Sequence, residues 1–256
     1  MQGHTITRAS WFSKYVPKAG DDCVLWFPGQ DDEQSSTIRD RSGQGNNGTI
    51  TGATWTRLPR GLWVLSFDGT DDNVDCGNDT SLQITNNLSF ECWFKTPPSF
   101  GTHASAFIGA NTIASKYNST GDQRSWLFHL QNVENDGSID NLTINLGDPS
   151  NGTFEYRGYY SINLSVSTWY HLVMTFASGT LKLYVNGTAV TLTTSSGAVP
   201  ATLWNSTSNL TLGELTPGGA EDLAGLLGLV RLYEINVLSA GVVSTHYRQE
   251  RHLFGV

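Results

Sequence analysis

Four aspartates lie close together in the first third of the sequence and could bind a hard cation. Asp68, Asp71, Asp72 and Asp75 fall within eight consecutive positions, next to turn-forming glycine and asparagine residues. Calcium is held by several carboxylate and carbonyl oxygens that converge from loops. These oxygens make calcium a candidate cofactor, with Asp68, Asp71 and Asp72 as its candidate ligands.

The same segment also fits a purely structural interpretation. It lacks the alternating acidic pattern of an EF-hand loop, and Asp68-Gly69 is a typical turn pair. Aspartates also cap backbone amides without any ion. A calcium site would need further oxygens, which Glu221 or Asp222 could supply. The residues favour the turn and leave the calcium site as the alternative.

A second group of residues has the chemistry of a sugar-binding site. Such sites combine an aromatic ring, which stacks on the sugar, with polar groups that bind its hydroxyls. The segment 156–160 supplies three tyrosines and an arginine, and Trp126 is a separate candidate for a stacking ring. We interpret the segment as an exposed loop, for which burial of the rings in the core is the alternative. The candidate ligand-binding residues are Tyr156, Arg157, Tyr159, Tyr160 and Trp126.

Composition excludes several classes of partner. The chain of 256 residues is 38% hydrophobic, enough for one large β-domain, and has a formal net charge of −8. Because phosphate binding needs a concentrated basic surface, we expect no nucleic-acid partner. The longest aliphatic run, 223–230, is too short to cross a bilayer, so we expect no membrane insertion. The three cysteines are expected to be buried free thiols, with one disulfide as the alternative.

Hydrophobic patterning predicts an all-β fold that would position these groups. Short apolar runs separated by turn residues recur from residue 21 onward. Several of them alternate apolar and polar positions, as at Leu88, Phe90, Cys92 and Phe94. Period two with one apolar face is typical of antiparallel sheets that cover a core on one side.

Two local signals refine this prediction. Asn186-Gly187 predicts a two-residue hairpin, because both central positions of such a turn need positive φ. A short C-terminal helix is expected after Ser239, which would cap it, and helical spacing continues to about Arg251.

Five segments, taken in order, carry the pattern of a known family. They are 40–55, 61–78 with its Phe67-Asp68-Gly69, 87–96, 169–190 and 223–243. Together they resemble the laminin-G-like, concanavalin A-like lectin/glucanase superfamily. The resemblance implies a jelly-roll sandwich of two curved antiparallel sheets, a fold that hosts lectins, glycosidases, adhesion modules and structural domains.

The resemblance also has implications for catalysis and for the calcium site. Retaining β-glucanases of this fold carry two glutamates flanking an aspartate on one strand face, and this chain lacks that motif. The segment most similar to it, Glu134 to Asp140, has the glycine and asparagine of a turn. We therefore assign no catalytic residues. Relatives that bind calcium place an aspartate where this chain has Gly228, which weakens the calcium hypothesis.

We expect residues 1–20 to form an N-terminal arm and residues 21–256 to form the jelly-roll domain. The expected function is non-catalytic binding or adhesion to a glycan or a protein surface. The resemblance implies a domain of an extracellular type, while residues 1–20 show no apolar signal-peptide core. We therefore expect an extracellular or virion-surface location that is reached without a visible signal peptide. In the virion setting the chain would decorate a capsid or form a fibre, with residues 1–20 docked on the viral capsid shell. The alternatives are a glycoside-active enzyme of this fold and a purely structural decoration domain.

Overall fold

The computed structural model describes residues 22–28, 35–100, 110–132, 140–215 and 221–256. Within them the chain forms two antiparallel β-sheets and one α-helix, which confirms the predicted all-β, jelly-roll sandwich with a C-terminal helix. The predicted arm, 1–20, lies outside the described residues.

The described strands follow one another along the chain with one α-helix at the end and a short 3-10 helix, Thr80–Leu82. They are β1 (Cys23–Phe27), β2 (Thr37–Ile38), β3 (Gly48–Thr51), β4 (Thr54–Arg57), β5 (Trp63–Asp68), β6 (Asn73–Asp75), β7 (Asn87–Lys95), β8 (Ala110–Asn118), β9 (Gln123–Gln131), β10 (Asn141–Gly147), β11 (Phe154–Tyr160), β12 (Trp169–Ala177), β13 (Thr180–Val185), β14 (Thr188–Val190), β15 (Thr193–Ser196), β16 (Thr211–Leu212) and β17 (Ala224–Glu234), followed by helix α1 (Ala240–Phe254).

The strands divide between two sheets that face each other across the core. Sheet A has the order β14-β13-β12-β7-β17-β5-β4, and β1 pairs with β17. Sheet B has the order β15-β11-β10-β9-β8-β16-β6-β3-β2. Each sheet therefore has an inner face toward the core and an outer face away from it.

Alternation along each strand sets which side chains enter the core. On β7, Leu88, Phe90, Cys92 and Phe94 are all buried in the main apolar cluster, as their spacing predicts. Helix α1 covers the outer face of sheet A, where the ring of Phe254 stacks on Trp93 with centroids 4.2 Å apart.

Both local predictions are confirmed. Asn186 and Gly187 join β13 to β14 with φ values of 50° and 77°. Ser239 caps helix α1 by accepting a hydrogen bond from the backbone N–H of Val242, and Gly255 ends the helix in the left-handed conformation.

Three sequence interpretations differ from the structure or lie outside it. Asp68-Gly69 does not turn between neighbouring strands, because β5 belongs to sheet A and β6 to sheet B. The segment 156–160 belongs to strand β11, whereas the sequence analysis interprets it as an exposed loop. Most of the strand-like run 105–110 lies outside the described residues.

The cysteines agree with expectation. Cys23, Cys76 and Cys92 are buried free thiols. Among the described residues, no helix has the length and apolar character needed to cross a membrane.

Candidate functional site

The central strands of sheet B carry apolar side chains toward the core and polar side chains on the opposite face. On β10, Leu142, Ile144 and Leu146 lie in the core, so Thr143 and Asn145 point outward. The same alternation runs through β9 and β11 and reaches the adjoining part of β8. We call this surface the outer face of sheet B; its polar members are Thr112, His129, Gln131, Asn141, Thr143, Asn145, Arg157 and Tyr159.

Strand register arranges these side chains in cross-strand rows. His129 lies directly opposite Thr112 on one side and Thr143 on the other. Asn145 lies opposite Arg157, whose Nε donates a hydrogen bond to Asn145 Oδ1 over 3.3 Å. Because opposed side chains of antiparallel strands are close neighbours, the rows gather hydroxyl, amide and imidazole groups into one continuous surface.

Several polar atoms of this surface are buried without a hydrogen bond. The hydroxyls of Thr112 and Thr143, both 0% exposed, have no partner among the described residues. The same holds, within the described part of the chain, for both ring nitrogens of His129. A buried polar group left unpaired costs about 1–3 kcal/mol. Since nearly all buried polar groups in proteins are paired with protein or with ordered water, this cluster is a candidate place for a ligand or water to supply the hydrogen bonds.

Burial keeps His129 uncharged. It lowers the pKa of the imidazole to about 3, the positive charge of Arg157 lowers it further, and the nearby Asn145 amide opposes both without completing a hydrogen bond of normal geometry. The Glu221 carboxylate lies 3.9 Å from Nδ1, which is beyond hydrogen-bonding distance. A neutral imidazole presents one donor and one acceptor, the combination that a sugar hydroxyl also presents.

Two opposite charges border the unpaired groups. Burial raises the pKa of Glu221, and the positive charge of Arg157 opposes that shift. Burial lowers the pKa of Arg157, and the charges of Tyr117 and Glu221 oppose it. Glu221 is held in place because its carbonyl accepts a hydrogen bond from the N–H of Thr112 over 3.0 Å. Glu221 and Arg157 thus lie within electrostatic range and partly neutralise each other.

The structure separates the five residues that the sequence grouped as ligand-binding. Trp126 and Tyr156, 1% and 3% exposed, point into the core, and Tyr160 packs against it. Arg157 and Tyr159 alternate with them on β11 and lie on the outer face of sheet B. The expected exposed loop is therefore a strand, and the rings of Trp126 and Tyr156 pack in the apolar core on the opposite side of sheet B from Arg157 and Tyr159.

Sequence reasoning missed His129, Thr143 and Asn145. A signal was present, because polar residues occupy every second position of β10 between buried apolar ones. That pattern indicates only an outward-facing surface. It does not reveal that the polar atoms are buried, since their burial depends on segments distant in sequence.

The predicted calcium ligands come together where the chain crosses from sheet A to sheet B. Asp68, Asp71 and Asp72 each place a carboxylate oxygen within 4.8 Å of the others. Asp72 is 5% exposed, and its Oδ2 accepts a hydrogen bond from the backbone N–H of Asp68 over 2.8 Å. Burial raises the pKa of Asp72; the hydrogen bond opposes this shift, and the charges of Asp68 and Asp71 add to it. The oxygen set suits a hard cation, and it equally suits an acid that caps a turn.

Two further positions bear on this aspartate cluster. Burial raises the pKa of Asp222, and the negative charges of Asp71, Asp68 and Asp72 add to the shift, which places Asp222 near them. The second position is Gly228, which packs against Val64: a Cβ added at Gly228 would lie 2.6 Å from Val64 Cγ1. An aspartate would not fit at position 228, so the ligand position implied by the family resemblance is absent here.

The outer face of sheet A holds a second polar cluster, whose two carboxylates are paired within the fold, while His171 Nδ1 and Trp26 Nε1 have no partner among the described residues. Glu91, 0% exposed, accepts hydrogen bonds from His171 Nε2 at 2.8 Å, Arg231 Nη1 at 3.1 Å and His246 Nδ1 at 2.9 Å. Glu250 of helix α1 accepts from the other Nη of Arg231. Burial alone would raise the pKa of Glu91, but Arg231, His246 and His171 together hold it well below its usual range.

This network explains how helix α1 is fixed to sheet A. The second carboxylate oxygen of Glu250 accepts a hydrogen bond from Trp93 Nε1 over 2.9 Å. By residue type, Glu91, His171 and Glu250 could ligate a metal. Arg231 binds both carboxylates, however, and thereby supplies the compensating positive charge. We assign this cluster a structural role.

Comparisons with known proteins agree with this fold. A family model described as the concanavalin A-like lectin/glucanases superfamily matches residues 68–244. No curated protein matches the chain. Among solved structures, domain 4 of an extracellular arabinanase from Geobacillus stearothermophilus, in complex with arabinotriose, is similar with a TM-score of 0.59. The two sequences are 19% identical, and the match covers 88% of this chain and 97% of the arabinanase domain.

Toxin and sialidase structures share the same architecture. The binding domain of Paraclostridial Mosquitocidal Protein 1 has a TM-score of 0.66 at 15% identity, over 90% of this chain and 52% of that one. A Trypanosoma rangeli sialidase mutant displaying trans-sialidase activity has a TM-score of 0.62 at 15% identity. The match covers 94% of this chain and 34% of the sialidase chain. This chain thus spans about half of the toxin domain and about a third of the sialidase. At such identities the likeness shows the fold alone.

Proposed function

The chain belongs to the concanavalin A-like lectin/glucanases superfamily, and we propose that it is a binding module that holds a glycan on the outer face of sheet B. The observation that carries the proposal is the row Thr112, His129 and Thr143, whose polar atoms are buried and unpaired within the described part of the chain. Sugar hydroxyls both donate and accept, so they can pair with each of these groups. Tyr159 adds a half-buried ring at the border of the same face.

The fold comparisons support binding as the class of function. One similar structure is an arabinanase domain in complex with arabinotriose, and another is a toxin binding domain. We propose that the module is non-catalytic, because glycoside hydrolysis needs two carboxyl groups flanking the scissile bond. The set of side chains that we assign to the outer face of sheet B contributes one carboxylate, Glu221, at its border.

A glycan array followed by titration calorimetry tests the proposal. We expect at least one oligosaccharide to bind, and we expect His129→Gln to weaken that binding while the melting temperature is kept. His252→Gln, at an exposed position of helix α1, is the matched control and should leave the affinity unchanged. Absence of binding to any glycan, or binding that is equal in all three proteins, would contradict the proposed site.

We also propose that Asp68, Asp71 and Asp72 hold a calcium ion, with Asp222 as a further ligand. The motivating observation is the approach of three carboxylates within 4.8 Å. Binding at 100 times the dissociation constant would stabilise the fold by about 2.7 kcal/mol. Melting in millimolar calcium should therefore exceed melting in EDTA, and Asp71→Asn should remove most of the difference. Identical melting curves in calcium and EDTA would refute the ion site.

An extracellular or virion-surface setting, with residues 1–20 attached to a capsid shell, is a further proposal. These residues lie outside the described part of the chain. Deleting them should abolish attachment to particles while glycan binding by the domain persists. Unchanged attachment would remove the support for this setting.

A further inference from the structure

We infer that the outer face of sheet B recognises a neutral saccharide rather than an acidic one, an inference that rests on the proposed glycan-binding function. The groups that form the floor of this face are uncharged. They are the hydroxyls of Thr112 and Thr143, the amides of Gln131, Asn141 and Asn145, and the imidazole of His129.

The positive charge at the border of the face is already compensated. Arg157 donates through Nε to Asn145, and its charge and that of Glu221 each oppose the effect of burial on the other. The carboxylate of Glu221 in turn approaches His129 Nδ1 to 3.9 Å. A carboxylate or sulfate of an acidic sugar would therefore compete with Glu221 for the guanidinium.

Burial makes that competition unfavourable for an acidic ligand. His129 and Thr143, 1% and 0% exposed, lie where water is largely excluded, so an unpaired anion would lose its hydration. His129 cannot compensate by taking up a proton near neutral pH, because burial lowers its pKa to about 3. The formal net charge of −8 adds a repulsive background. A neutral sugar carries no charge to desolvate or repel, and its buried hydroxyls can regain hydrogen bonds from the unpaired hydroxyl and imidazole atoms.

Calorimetry with two matched panels tests the inference on the full chain. The neutral panel is cellotriose, mannotriose and arabinotriose; the acidic panel is sialyllactose, trigalacturonate and a heparin-derived tetrasaccharide. We expect binding in the neutral panel, with an affinity that changes by less than about twofold between low and high salt because no ion pair forms. We expect His129→Gln to weaken this binding by about tenfold or more, which is the effect of losing a hydrogen bond to a buried group.

The outcomes separate this inference from the function on which it rests. Salt-sensitive binding confined to the acidic panel, and lost in Arg157→Gln, would overturn the neutral specificity and retain the glycan site. Binding to neither panel would overturn both. If His129→Gln fails to fold, Thr143→Val provides the same test, because valine keeps the shape of threonine and removes only the hydroxyl.

Discussion

Both sheets bury polar side chains on their outer faces, but within the described residues the charged groups of sheet A are paired, whereas the row Thr112, His129 and Thr143 of sheet B is unpaired. On sheet A, Glu91 receives hydrogen bonds from Arg231 and two histidines, and helix α1 completes the network. On sheet B, His129, Thr112 and Thr143 are as deeply buried and have no partner in the described chain. A paired buried group fixes a fold, whereas an unpaired one lowers its stability. We attribute the difference to a structural role for the cluster on sheet A and to the proposed ligand site on sheet B.

The largest expected effect comes from breaking the sheet A network. Glu91→Gln leaves Arg231 with one carboxylate and leaves His246 without its anion. Removing one member of a buried charge pair costs about 3–5 kcal/mol, so the midpoint of urea unfolding should fall sharply. Glu234→Gln, at the half-buried end of the same sheet, is the control and should change stability by less than about 0.5 kcal/mol. Equal losses in both variants would show that the network has no special role.

Acid should destabilise the protein through His129. Its folded pKa, about 3, lies below the unfolded value near 6.5, so the unfolded chain binds the extra proton as the pH falls between these values. Stability should therefore drop by about 2 kcal/mol between pH 7 and pH 5 on account of this residue. Chemical unfolding of the protein and of His129→Gln at both pH values measures the difference. A variant that loses as much stability as the parent would mean that His129 is not held neutral.

His246 should respond to pH with the opposite sign. Burial lowers its pKa, but the charge and hydrogen bonds of Glu91 outweigh this and raise it, with Arg231 and Glu250 as the other charges nearby. Its contribution is full below pH 6.5 and is lost as the pH rises through the folded pKa. The effect should be smaller, because a quarter of the side chain is exposed. Unfolding His246→Asn at pH 6 and pH 8 should show a flatter profile than the parent, and a steeper one would contradict the ion pair.

The sequence predicted the sandwich well because its signals are local. The alternation of Leu88, Phe90 and Cys92, and the turn at Asn186-Gly187, act over a few residues, and the structure confirms them. The aspartates near Asp68 were found as a group for the same reason. The sequence does not show that the turn after Asp68 connects sheet A to sheet B. That crossing depends on how β5 and β6 pair with strands far along the chain.

The polar sites were harder to predict because they are assembled from distant segments. Trp93 and Glu250 are 157 positions apart, and no spacing in the sequence indicates that they touch. The tyrosines and the arginine of 156–160 favour an exposed loop when only the sequence is considered. As a strand, the segment sends Tyr156 into the core and Arg157 outward. Composition identifies 156–160 as a candidate segment. Alternation along strand β11 then determines which of its side chains lie on the outer face of sheet B.

One substitution, Thr143→Val, tests the central claim most directly. It removes a buried hydroxyl with no partner among the described residues and changes almost nothing else. Unfolding and calorimetric titration with the bound glycan would be measured on the same preparation, with Thr188→Val, at an exposed edge position, as the control. We predict that stability stays the same or rises by about 1 kcal/mol, because the unpaired hydroxyl no longer has to be buried, while glycan affinity falls. A loss of more than about 1 kcal/mol with unchanged affinity would contradict the account, since the hydroxyl would then serve the fold and not a ligand.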